Sequence, residues 1–407
     1  MPGDKSISHR GLILGAIAKG ITEIDGFLSS TDCLATIDCL RKLGVQIEHS
    51  GDAARIFGVG LYGLQKPKET LYVGNSGTTL RLLAGLLAGQ GFDCALDGDA
   101  SIRRRPMERV IQPLSHMGAK ISGNNAPISI RGAKLHGVHY KMPINSAQVK
   151  SAVLLAALYA RGATVIEELK LGATRDHTEK MMEYMGICLD ISGKIIRYSG
   201  GETLLGRKIS VPGDFSSAAF FIVLGVLMAE NGLLIENVGV NPTRTGLIDA
   251  LRQMGAKIKI ENRKMLGNEE VGDIFVRKSA LRAIELKGDI VPRIIDEIPI
   301  FAVAAAFAEG ITIIRDAGEL AVKESNRIEA MSAELAKMSA KIEARNDGMV
   351  IYGGQKLNGA VVHSHGDHRV AMSLAIAAAA AHGETTIKNS QCVDVSFPSF
   401  FHILDCF

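Results

Sequence analysis

At 407 residues, the chain is longer than one hydrophobic core usually supports, so two domains are expected. Its 47% hydrophobic and 22% charged residues are typical of a folded protein and exclude a disordered one. The net charge is only +3, aromatic residues make up 5% and Trp is absent, which argues against a nucleic-acid partner.

The cysteines and the apolar runs indicate in which cellular compartment the protein is expected. The six cysteines form no C-x-x-C pair, and in a long chain without a signal peptide we expect reduced, mostly buried thiols. The start, Met-Pro-Gly-Asp-Lys, has no apolar signal segment. The longest apolar runs, 218–229 and 300–308, are shorter than the roughly 18 residues that a membrane span needs. The sequence therefore predicts a cytoplasmic protein with no membrane partner.

One pattern recurs along the chain. A helix-like segment ends in a Leu/Met-Gly-small turn and leads into a strand-like run, because glycine after a helix adopts the left-handed conformation without strain. The copies are residues 40–48, 114–121, 182–191, 251–260 and, with Ser339 in place of the glycine, 335–343. The terminal residues 398–407 are compatible with the start of a sixth. Helices alternating with strands in repeats predict an α/β fold.

A longer repeat divides the chain into halves. Residues 2–8 read PGDKSIS and residues 212–218 read PGDFSSA, and an apolar helical stretch follows each. We therefore predict two similar domains, 1–211 and 212–407, with the boundary near Val211.

The first segment with chemical potential is residues 3–10. Asp4 or Ser6 can cap the helix that it opens, and the free N–H groups of the first turn favour an anion. In a helix, Ser6 and Arg10 share one face, as do Lys5 and His9. The segment suits a phosphate or carboxylate, and the alternative is a capped, solvated helix end.

Residues 74–81, Gly-Asn-Ser-Gly-Thr-Thr-Leu-Arg, precede an apolar helix. Two glycines and three hydroxyls can place backbone N–H groups around a phosphate or carboxylate. The segment is not the nucleotide P-loop, because the Gly-Lys-Ser/Thr ending is missing.

Residues 101–109 contain four arginines, whose planar guanidinium groups suit bidentate recognition of carboxylate and phosphate. For Arg103, Arg104 and Arg109 we favour a solvated charged surface. Arg105 stands before Pro106, which restricts its backbone and can fix the direction of its side chain.

Ser146 and Gln148 precede another apolar helix and are uncharged donors suited to a hydroxylated ligand. Capping of that helix by Ser146 is the alternative.

Carboxylates and cations alternate in the second half. Asp296 and Glu297 stand between apolar runs, where acids are either exposed at a strand end or have shifted pKa values. Residues 323–327, Lys-Glu-Ser-Asn-Arg, are expected to start a helix with Lys323 and Arg327 on one face and Glu324 within reach of Arg327. The functional interpretation is an acid–base carboxylate among anion-binding cations, and the alternative is a salt-bridged helix.

Residues 363–369, His-Ser-His-Gly-Asp-His-Arg, have the residue types of a metal site. The other histidines supply no second pair, so we predict no metal. Arg369, at the start of an Ala-rich helix, is the stronger feature.

Together these segments resemble the EPSP synthases, also called 3-phosphoshikimate 1-carboxyvinyltransferases. Class II members are the most similar, through SAQVKS and GNSGTTLR. The match covers nearly the whole chain, in the order PGDKSISHR, GNSGTTLR, RRRPMER, SAQVKS, TRDHTEKM, IDEIP, KESNRIEAM, GDHRVAM and SFPSFF.

The resemblance implies a two-domain, inside-out α/β barrel, with three βαβαββ repeats in each domain, the last one truncated, and the active site in the cleft between domains. It implies transfer of the carboxyvinyl group of phosphoenolpyruvate to the 5-hydroxyl of 3-phosphoshikimate, in the shikimate pathway to chorismate and the aromatic amino acids. No cofactor and a monomeric state are implied, with glyphosate as an inhibitor.

The resemblance also implies the ligand of each site residue. For 3-phosphoshikimate these are Lys5, Ser6, Arg10, Ser146, Gln148, Thr174, Asp296 and Lys323, with Thr174 where the family usually has serine. For phosphoenolpyruvate they are Lys5, Gly77, Arg105, Gln148, Arg327 and Arg369. Asp296 would accept the proton of the 5-hydroxyl, and Glu324 or Lys5 would protonate the methylene carbon.

The chain departs from the family pattern at several places. Asn326 replaces an acid, Val395 stands where many members have lysine, and Ser339 replaces a glycine. The family has a strand before Pro-Gly-Asp and a last helix that continues beyond position 407, so we expect exposed apolar surface and backbone there.

Three alternatives remain at this point. The sister enzyme that acts on UDP-N-acetylglucosamine has a loop cysteine where this chain has Asp99, Ala100 and Ser101. The others are a metal-dependent hydrolase and a non-catalytic ligand-binding relative.

Overall fold

The structure, a computed structural model, describes residues 1–170 and 174–407, which divide into two compact units. The first unit is Gly3–Val211 with Leu266–Glu269, and the second is Pro212–Met265 and Glu270–Phe407 with Met1–Pro2. Two short segments depart from the expected halves. Met1–Pro2 belongs to the second unit, and Leu266–Glu269 belongs to the first. Pro2 joins the second unit because its carbonyl accepts a hydrogen bond from the Asp214 N–H, at 2.8 Å.

The first unit alternates helices and strands. Its helices are α1 (Lys5–Ala16), α2 (Thr31–Lys42), α3 (Gly77–Ala88), α4 (Glu108–His116), α5 (Ala147–Ala157) and α6 (His177–Tyr184). Its strands are β1 (Lys19–Asp25), β2 (Gln46–Ser50), β3 (Ala53–Val59), β4 (Leu71–Tyr72), β5 (Cys94–Asp97), β6 (Lys120–Ser122), β7 (Ile128–Arg131), β8 (His139–Lys141), β9 (Thr164–Glu167), β10 (Asp190–Ser192), β11 (Ile195–Tyr198) and β12 (Lys208–Ser210).

The described residues of the first unit form sheets of one topology, with strand orders β12-β1-β3-β2, β4-β5-β7-β6 and β8-β9-β11-β10. In each sheet the first pair is parallel and the other two are antiparallel. A strand–helix–strand–helix–hairpin repeat produces this topology. In the first sheet, β12 is the parallel partner of β1, although it comes from the end of the unit. It holds the position that β4 and β8 hold in the other two sheets.

The second unit contains α7 (Phe215–Met228), α8 (Gly246–Gln253), α9 (Val291–Ile294), α10 (Ile298–Phe307), α11 (Arg327–Lys337), α12 (His368–Ala379) and α13 (Phe400–Leu404). Its strands are β13 (Leu233–Gly239), β14 (Lys257–Leu266), β15 (Glu269–Arg277), β16 (Glu285–Leu286), β17 (Ile311–Ile314), β18 (Lys341–Arg345), β19 (Gly348–Tyr352), β20 (Val361–His363) and β21 (Thr386–Lys388). The order β16-β17-β19-β18 repeats the first-unit topology, β13-β15-β14 is antiparallel, and β20-β21 is a parallel pair.

All five predicted helix-to-strand turns are present. The residue two positions after each of α2, α4, α6, α8 and α11 has a positive φ, which is +88° at Gly44 and +73° at Ser339. Ser339 therefore holds the left-handed conformation that the other copies assign to glycine.

Apolar helices form the interior of each unit. In the first unit α3 packs on α5, and in the second α7, α10 and α12 pack on one another. Residues 298–306 of α10 are all buried, as expected of a helix that is apolar on every side. The sheets carry exposed residues on their outer faces, for example in β1.

Two expectations from composition can be compared with this structure. Within the described ranges, no helix combines the length and the apolar character needed to cross a membrane. The prediction of mostly buried cysteines is wrong: Cys33 and Cys39 are buried, Cys94 and Cys392 are half-buried, and Cys188 and Cys406 are exposed. Cys188 lies four residues after the end of α6, and Cys406 lies two residues after the end of α13.

Candidate active site

The N-terminus of α1 presents Lys5 and Ser6. Asp4 caps the helix, because its carboxylate accepts a hydrogen bond from the Ile7 N–H at 2.9 Å, whereas Ser6 lies inside the first turn. Lys5 Nζ lies 2.9 Å from Asp32 Oδ2 on α2, so the ammonium group is held in place while part of it remains exposed. Ser6 is half-buried and is not used in capping.

Arg10 is a buried cation that ties α1 to two other helices. Its guanidinium donates to Thr178 Oγ1 at 2.7 Å, to Ser151 Oγ at 2.8 Å and to the Ser6 carbonyl at 2.9 Å. The last contact confirms that Ser6 and Arg10 share one face. Burial lowers the pKa of Arg10 to about 10, so the side chain remains charged at neutral pH.

Gly77, Arg81, Arg105 and Gln148 lie together, and we call them the Gly77 cluster. A Cβ atom at Gly77 would lie 2.7 Å from Arg81 Nη1 and 2.9 Å from Arg105 Nη1. Arg81 Nη1 donates to Gln148 Oε1 at 2.6 Å, and Gln148 Nε2 donates to Thr78 Oγ1 at 3.1 Å. The structure thus brings three predicted site residues together and adds Arg81, which the sequence analysis missed. Its position one turn after Gly77 in an α-helix was the available signal.

The arginine-rich segment separates as predicted. Arg103, Arg104 and Arg109 are exposed, whereas Arg105 is buried, with 7% of its surface accessible. Arg105 follows a short 3₁₀ helix and has an extended backbone. Its Nη2 donates to Ser101 Oγ at 3.2 Å. The proline that follows disfavours a helical conformation at Arg105, in agreement with this extended backbone.

The start of α5 and the segment before α6 form a buried polar group. Ser146 caps α5 by accepting a hydrogen bond from the Val149 N–H at 3.5 Å. Thr174 Oγ1 donates to Glu168 Oε1 at 2.5 Å. Lys150 lies 3.0 Å from Glu168 and 2.6 Å from Glu179.

The sequence analysis assigns no role to Lys150 or to Glu168. Burial alone would lower the pKa of Lys150, but the two carboxylates outweigh this effect and raise it. The ion pairs therefore fix the start of α5 next to Thr174.

In the second unit, Asp296 is surrounded by cations; we call Asp296, Lys323, Glu324, Arg327 and Arg369 the Asp296 cluster. Asp296 Oδ1 lies 3.5 Å from both Lys323 Nζ and Arg327 Nη1, and Oδ2 lies 3.9 Å from Arg369 Nη2.

One alternative from the sequence places Asp296 and Glu297 exposed at the end of a strand. That alternative is wrong. Asp296 lies between α9 and α10, and Glu297 is the buried N-cap residue of α10. A short helix with Pro292 replaces the strand that the apolar run suggested.

Arg327 is the first residue of α11 and is fully buried. Asn326 caps the helix by accepting a hydrogen bond from the Glu329 N–H at 3.4 Å, so its replacement of an acid retains a capping side chain. Arg327 pairs with Glu324 at 2.6 Å and with Asp367 at 2.8 Å. Burial would lower the pKa of Arg327, but Asp367, Glu324 and Asp296 outweigh it and raise the pKa above its usual range.

The predicted helix through Lys323 is wrong. Residues Gly318–Val322 form a 3₁₀ helix and Lys323 is extended, so Lys323 and Arg327 do not share a helix face. They meet at the carboxylate of Asp296 instead.

Arg369 opens α12, as predicted. Asp367 caps this helix through the Arg369 N–H at 2.9 Å, and Arg369 Nη1 donates to the Asp296 carbonyl at 2.8 Å. Burial would raise the pKa of Asp367, but Arg327 outweighs it and lowers the pKa. Asp367, which the sequence analysis did not assign, thus holds α11 and α12 together beside the cluster.

The histidines of 363–369 are engaged with protein groups. His363 Nδ1 accepts a hydrogen bond from the His365 N–H at 2.8 Å, and His365 Nε2 lies 2.8 Å from Glu334 Oε1. Across residues 1–170 and 174–407, no group of three or more His, Cys, Asp or Glu side chains is arranged to hold a metal ion.

Comparisons with known proteins agree on one family. The family model described as EPSP synthase (3-phosphoshikimate 1-carboxyvinyltransferase) matches residues 1–404. The chain is 51% identical over 405 residues to the 3-phosphoshikimate 1-carboxyvinyltransferase of Bacillus cytotoxicus, covering 98% of this chain and 95% of that one. It is 53% identical over 408 residues to the protein of the same name from Thermoanaerobacter sp., covering 100% and 96%. The solved EPSP synthase of Acinetobacter baumannii superimposes with a TM-score of 0.88 at 44% identity, covering 100% of this chain and 94% of that one.

Proposed function

The chain belongs to the EPSP synthase family, and we propose that it transfers the carboxyvinyl group of phosphoenolpyruvate to the 5-hydroxyl of 3-phosphoshikimate. The products are 5-enolpyruvylshikimate 3-phosphate and phosphate, in the shikimate pathway to chorismate and the aromatic amino acids. The comparisons confirm the resemblance to this family and the α/β fold that it implied. The observation that carries the chemistry is the Asp296 carboxylate within 4 Å of three cations.

The Asp296 cluster suits proton transfer beside anionic substrates. We assign Asp296 and Lys323 to 3-phosphoshikimate, and Arg327 and Arg369 to phosphoenolpyruvate. The half-buried carboxylate of Glu324 and the buried one of Asp367 keep the guanidinium group of Arg327 in one orientation, so little reorganisation is needed when an anion arrives. A base at Asp296 must lie within hydrogen-bond reach of the 5-hydroxyl, and its half-buried side chain leaves an accessible edge.

The first unit supplies the remaining proposed ligands. Lys5, Ser6, Arg10, Ser146, Gln148 and Thr174 are assigned to 3-phosphoshikimate, and Lys5, Gly77, Arg105 and Gln148 to phosphoenolpyruvate. Contacts within the Gly77 cluster support the second set, because its guanidinium groups lie beside the N-terminus of α3, which favours an anion. We propose that these residues and the Asp296 cluster act on the same pair of substrates.

The proposed reaction proceeds by addition and elimination. The oxygen of the 5-hydroxyl of 3-phosphoshikimate bonds to C2 of phosphoenolpyruvate while Asp296 accepts the hydroxyl proton. Glu324 or Lys5 protonates C3, and the product of this addition is a tetrahedral intermediate. Loss of a proton from C3 and departure of phosphate from C2 restore the double bond. The surrounding cations stabilise the negative charge on carboxylate and phosphate throughout.

Four further assignments accompany the activity. We propose that glyphosate inhibits the enzyme, since Gly77 leaves room beside the phosphoenolpyruvate site. We also propose a cytoplasmic location, a monomeric state and a reaction without a cofactor, as the sequence analysis expects.

Product analysis tests the activity. The protein is incubated with phosphoenolpyruvate and either 3-phosphoshikimate or UDP-N-acetylglucosamine, and the products are identified by mass spectrometry. We expect 5-enolpyruvylshikimate 3-phosphate alone, unchanged by a metal chelator and suppressed by glyphosate. Product from UDP-N-acetylglucosamine would favour the sister activity, sensitivity to the chelator would favour a metal enzyme, and no product would favour a non-catalytic relative. Full activity in millimolar glyphosate would refute the inhibitor assignment.

A further inference from the structure

A chain of hydrogen-bonded side chains crosses the interior of the first unit. His9 Nδ1 on α1 lies 2.8 Å from Thr36 Oγ1 on α2, and Thr36 Oγ1 lies 2.7 Å from Thr79 Oγ1 on α3. Thr79 Oγ1 then donates to Ser76 Oγ at 2.7 Å. All four residues are completely buried. We call this set the His9–Ser76 chain.

The chain has a single direction of proton donation. The hydroxyl proton of Thr79 is used on Ser76, so Thr36 must donate to Thr79. Thr36 then has no proton for His9, and His9 Nδ1 must be the donor at that end. The chain therefore fixes His9 as the neutral tautomer that carries its proton on Nδ1.

The surroundings of His9 support this tautomer. Its second nitrogen, Nε2, is buried and has no hydrogen-bond partner among the described residues, so a proton placed there would be an unsatisfied buried donor. Burial, together with the charges of Lys5 and Arg10, holds the pKa of His9 well below its usual value. His9 thus remains a neutral donor at the pH of the cell.

Both ends of the chain adjoin residues of the proposed site. His9 follows Lys5 by one turn of α1, and Thr36 follows Asp32, the partner of Lys5, by one turn of α2. At the other end, Ser76 caps α3 and immediately precedes Gly77. The helix start that carries the Gly77 cluster is therefore connected to α1 through Thr36.

We propose that His9, Thr36, Thr79 and Ser76 are positioning residues for phosphoenolpyruvate, holding the start of α3 at a fixed place relative to α1. This inference rests on the proposed function, because it assigns Gly77 and Lys5 to that substrate. None of the four side chains takes part in the chemistry. Their effect is on where Gly77 and its neighbouring guanidinium groups stand when the substrate binds.

Substitution of Thr36 tests the proposal. Thr36→Val keeps the shape and removes the hydroxyl, and Thr36→Ser keeps the hydroxyl. We expect Thr36→Val to raise the KM for phosphoenolpyruvate about tenfold while the KM for 3-phosphoshikimate stays within about twofold. Thr36→Ser should restore the wild-type value. The matched control is Thr22→Val, at an equally buried threonine whose hydroxyl has no hydrogen-bond partner in the described part of the chain. It should leave both KM values unchanged.

A second measurement does not depend on turnover. The Thr79 N–H donates to Ser76 Oγ at 3.1 Å, and its hydrogen exchange should be faster in Thr36→Val than in wild type or Thr22→Val. Inactive wild-type protein would overturn the proposed function and, with it, the assignment of these residues to phosphoenolpyruvate. If Thr36→Val has the wild-type KM values and the wild-type exchange rate at the Thr79 N–H, the positioning role is wrong while the proposed function stands. Thr79→Val cuts the chain one link later and should give the same KM split. If both valine variants fail to fold, the chain is a stability element and the proposal is wrong.

Discussion

Substitution of Gly77 by alanine tests the geometry of the Gly77 cluster. The added Cβ would lie 2.7 Å from Arg81 Nη1 and 2.9 Å from Arg105 Nη1. To reach an ordinary contact of 3.4 Å, the two nitrogens must retreat by about 0.7 Å and about 0.5 Å. Such a shift of Arg81 Nη1 would also disturb its 2.6 Å hydrogen bond to Gln148.

We expect Gly77→Ala to weaken the binding of phosphoenolpyruvate. A misplacement of about 1 Å in a site can cost on the order of a hundredfold in rate, so a shift of about half that size is expected to cost about tenfold. A tenfold loss corresponds to about 1.4 kcal/mol of binding free energy. Steady-state kinetics should show a KM for phosphoenolpyruvate raised about tenfold, with weaker inhibition by glyphosate and little change for 3-phosphoshikimate.

Gly91→Ala is the matched control, because a Cβ there meets no atom within 4 Å and the backbone has no positive φ. It should have wild-type kinetics. If Gly77→Ala also has a wild-type KM for phosphoenolpyruvate, the guanidinium groups beside Gly77 do not bind that substrate.

Three other variants test separate parts of the structure. Asp296→Ala should remain folded but lose at least about a hundredfold in turnover, because the general base is removed, and retained turnover would exclude that role. Ser339→Gly should raise the free energy of unfolding by about 1 kcal/mol in chemical denaturation, because a residue with a Cβ at φ +73° is strained; a lower value would contradict this. Glu334→Gln tests a pH dependence: bonds from Lys337 and His365 outweigh burial and lower the pKa of Glu334. The free energy of unfolding of the wild type should therefore exceed that of Glu334→Gln by its full amount above the ordinary pKa of 4.5. This difference should disappear as the pH falls through the pKa of Glu334 in the folded protein. A difference that grows in acid would refute the prediction.

Local features were predictable from the sequence. The helix-to-strand turns followed from glycines that must adopt a positive φ, and even Ser339 was placed correctly by the spacing of the repeat. Pro106 singled out Arg105 as the arginine with a restricted backbone, and Arg105 is the buried arginine of that segment. In each case the determining interaction lies within a few residues along the chain.

Features that depend on distant partners were not predictable. β12 completes the sheet of β1 although the chain between them forms most of the first unit. Lys323 was expected in a helix, but the short 3₁₀ helix before it leaves it extended, and only the fold reveals that Asp296 is its partner. The contact of Arg81 with Gln148 and the His9–Ser76 chain depend on which helices pack together, and one sequence does not specify this.

Release of phosphate from phosphoenolpyruvate tests most directly whether residues of both units act on one pair of substrates. The 407-residue chain, Arg105→Ala and Arg369→Ala are assayed with and without 3-phosphoshikimate. We predict rapid release by the wild type only when 3-phosphoshikimate is present, and loss of at least about a hundredfold in both variants. Release that is independent of 3-phosphoshikimate, or a loss confined to the variant of one unit, would contradict this account.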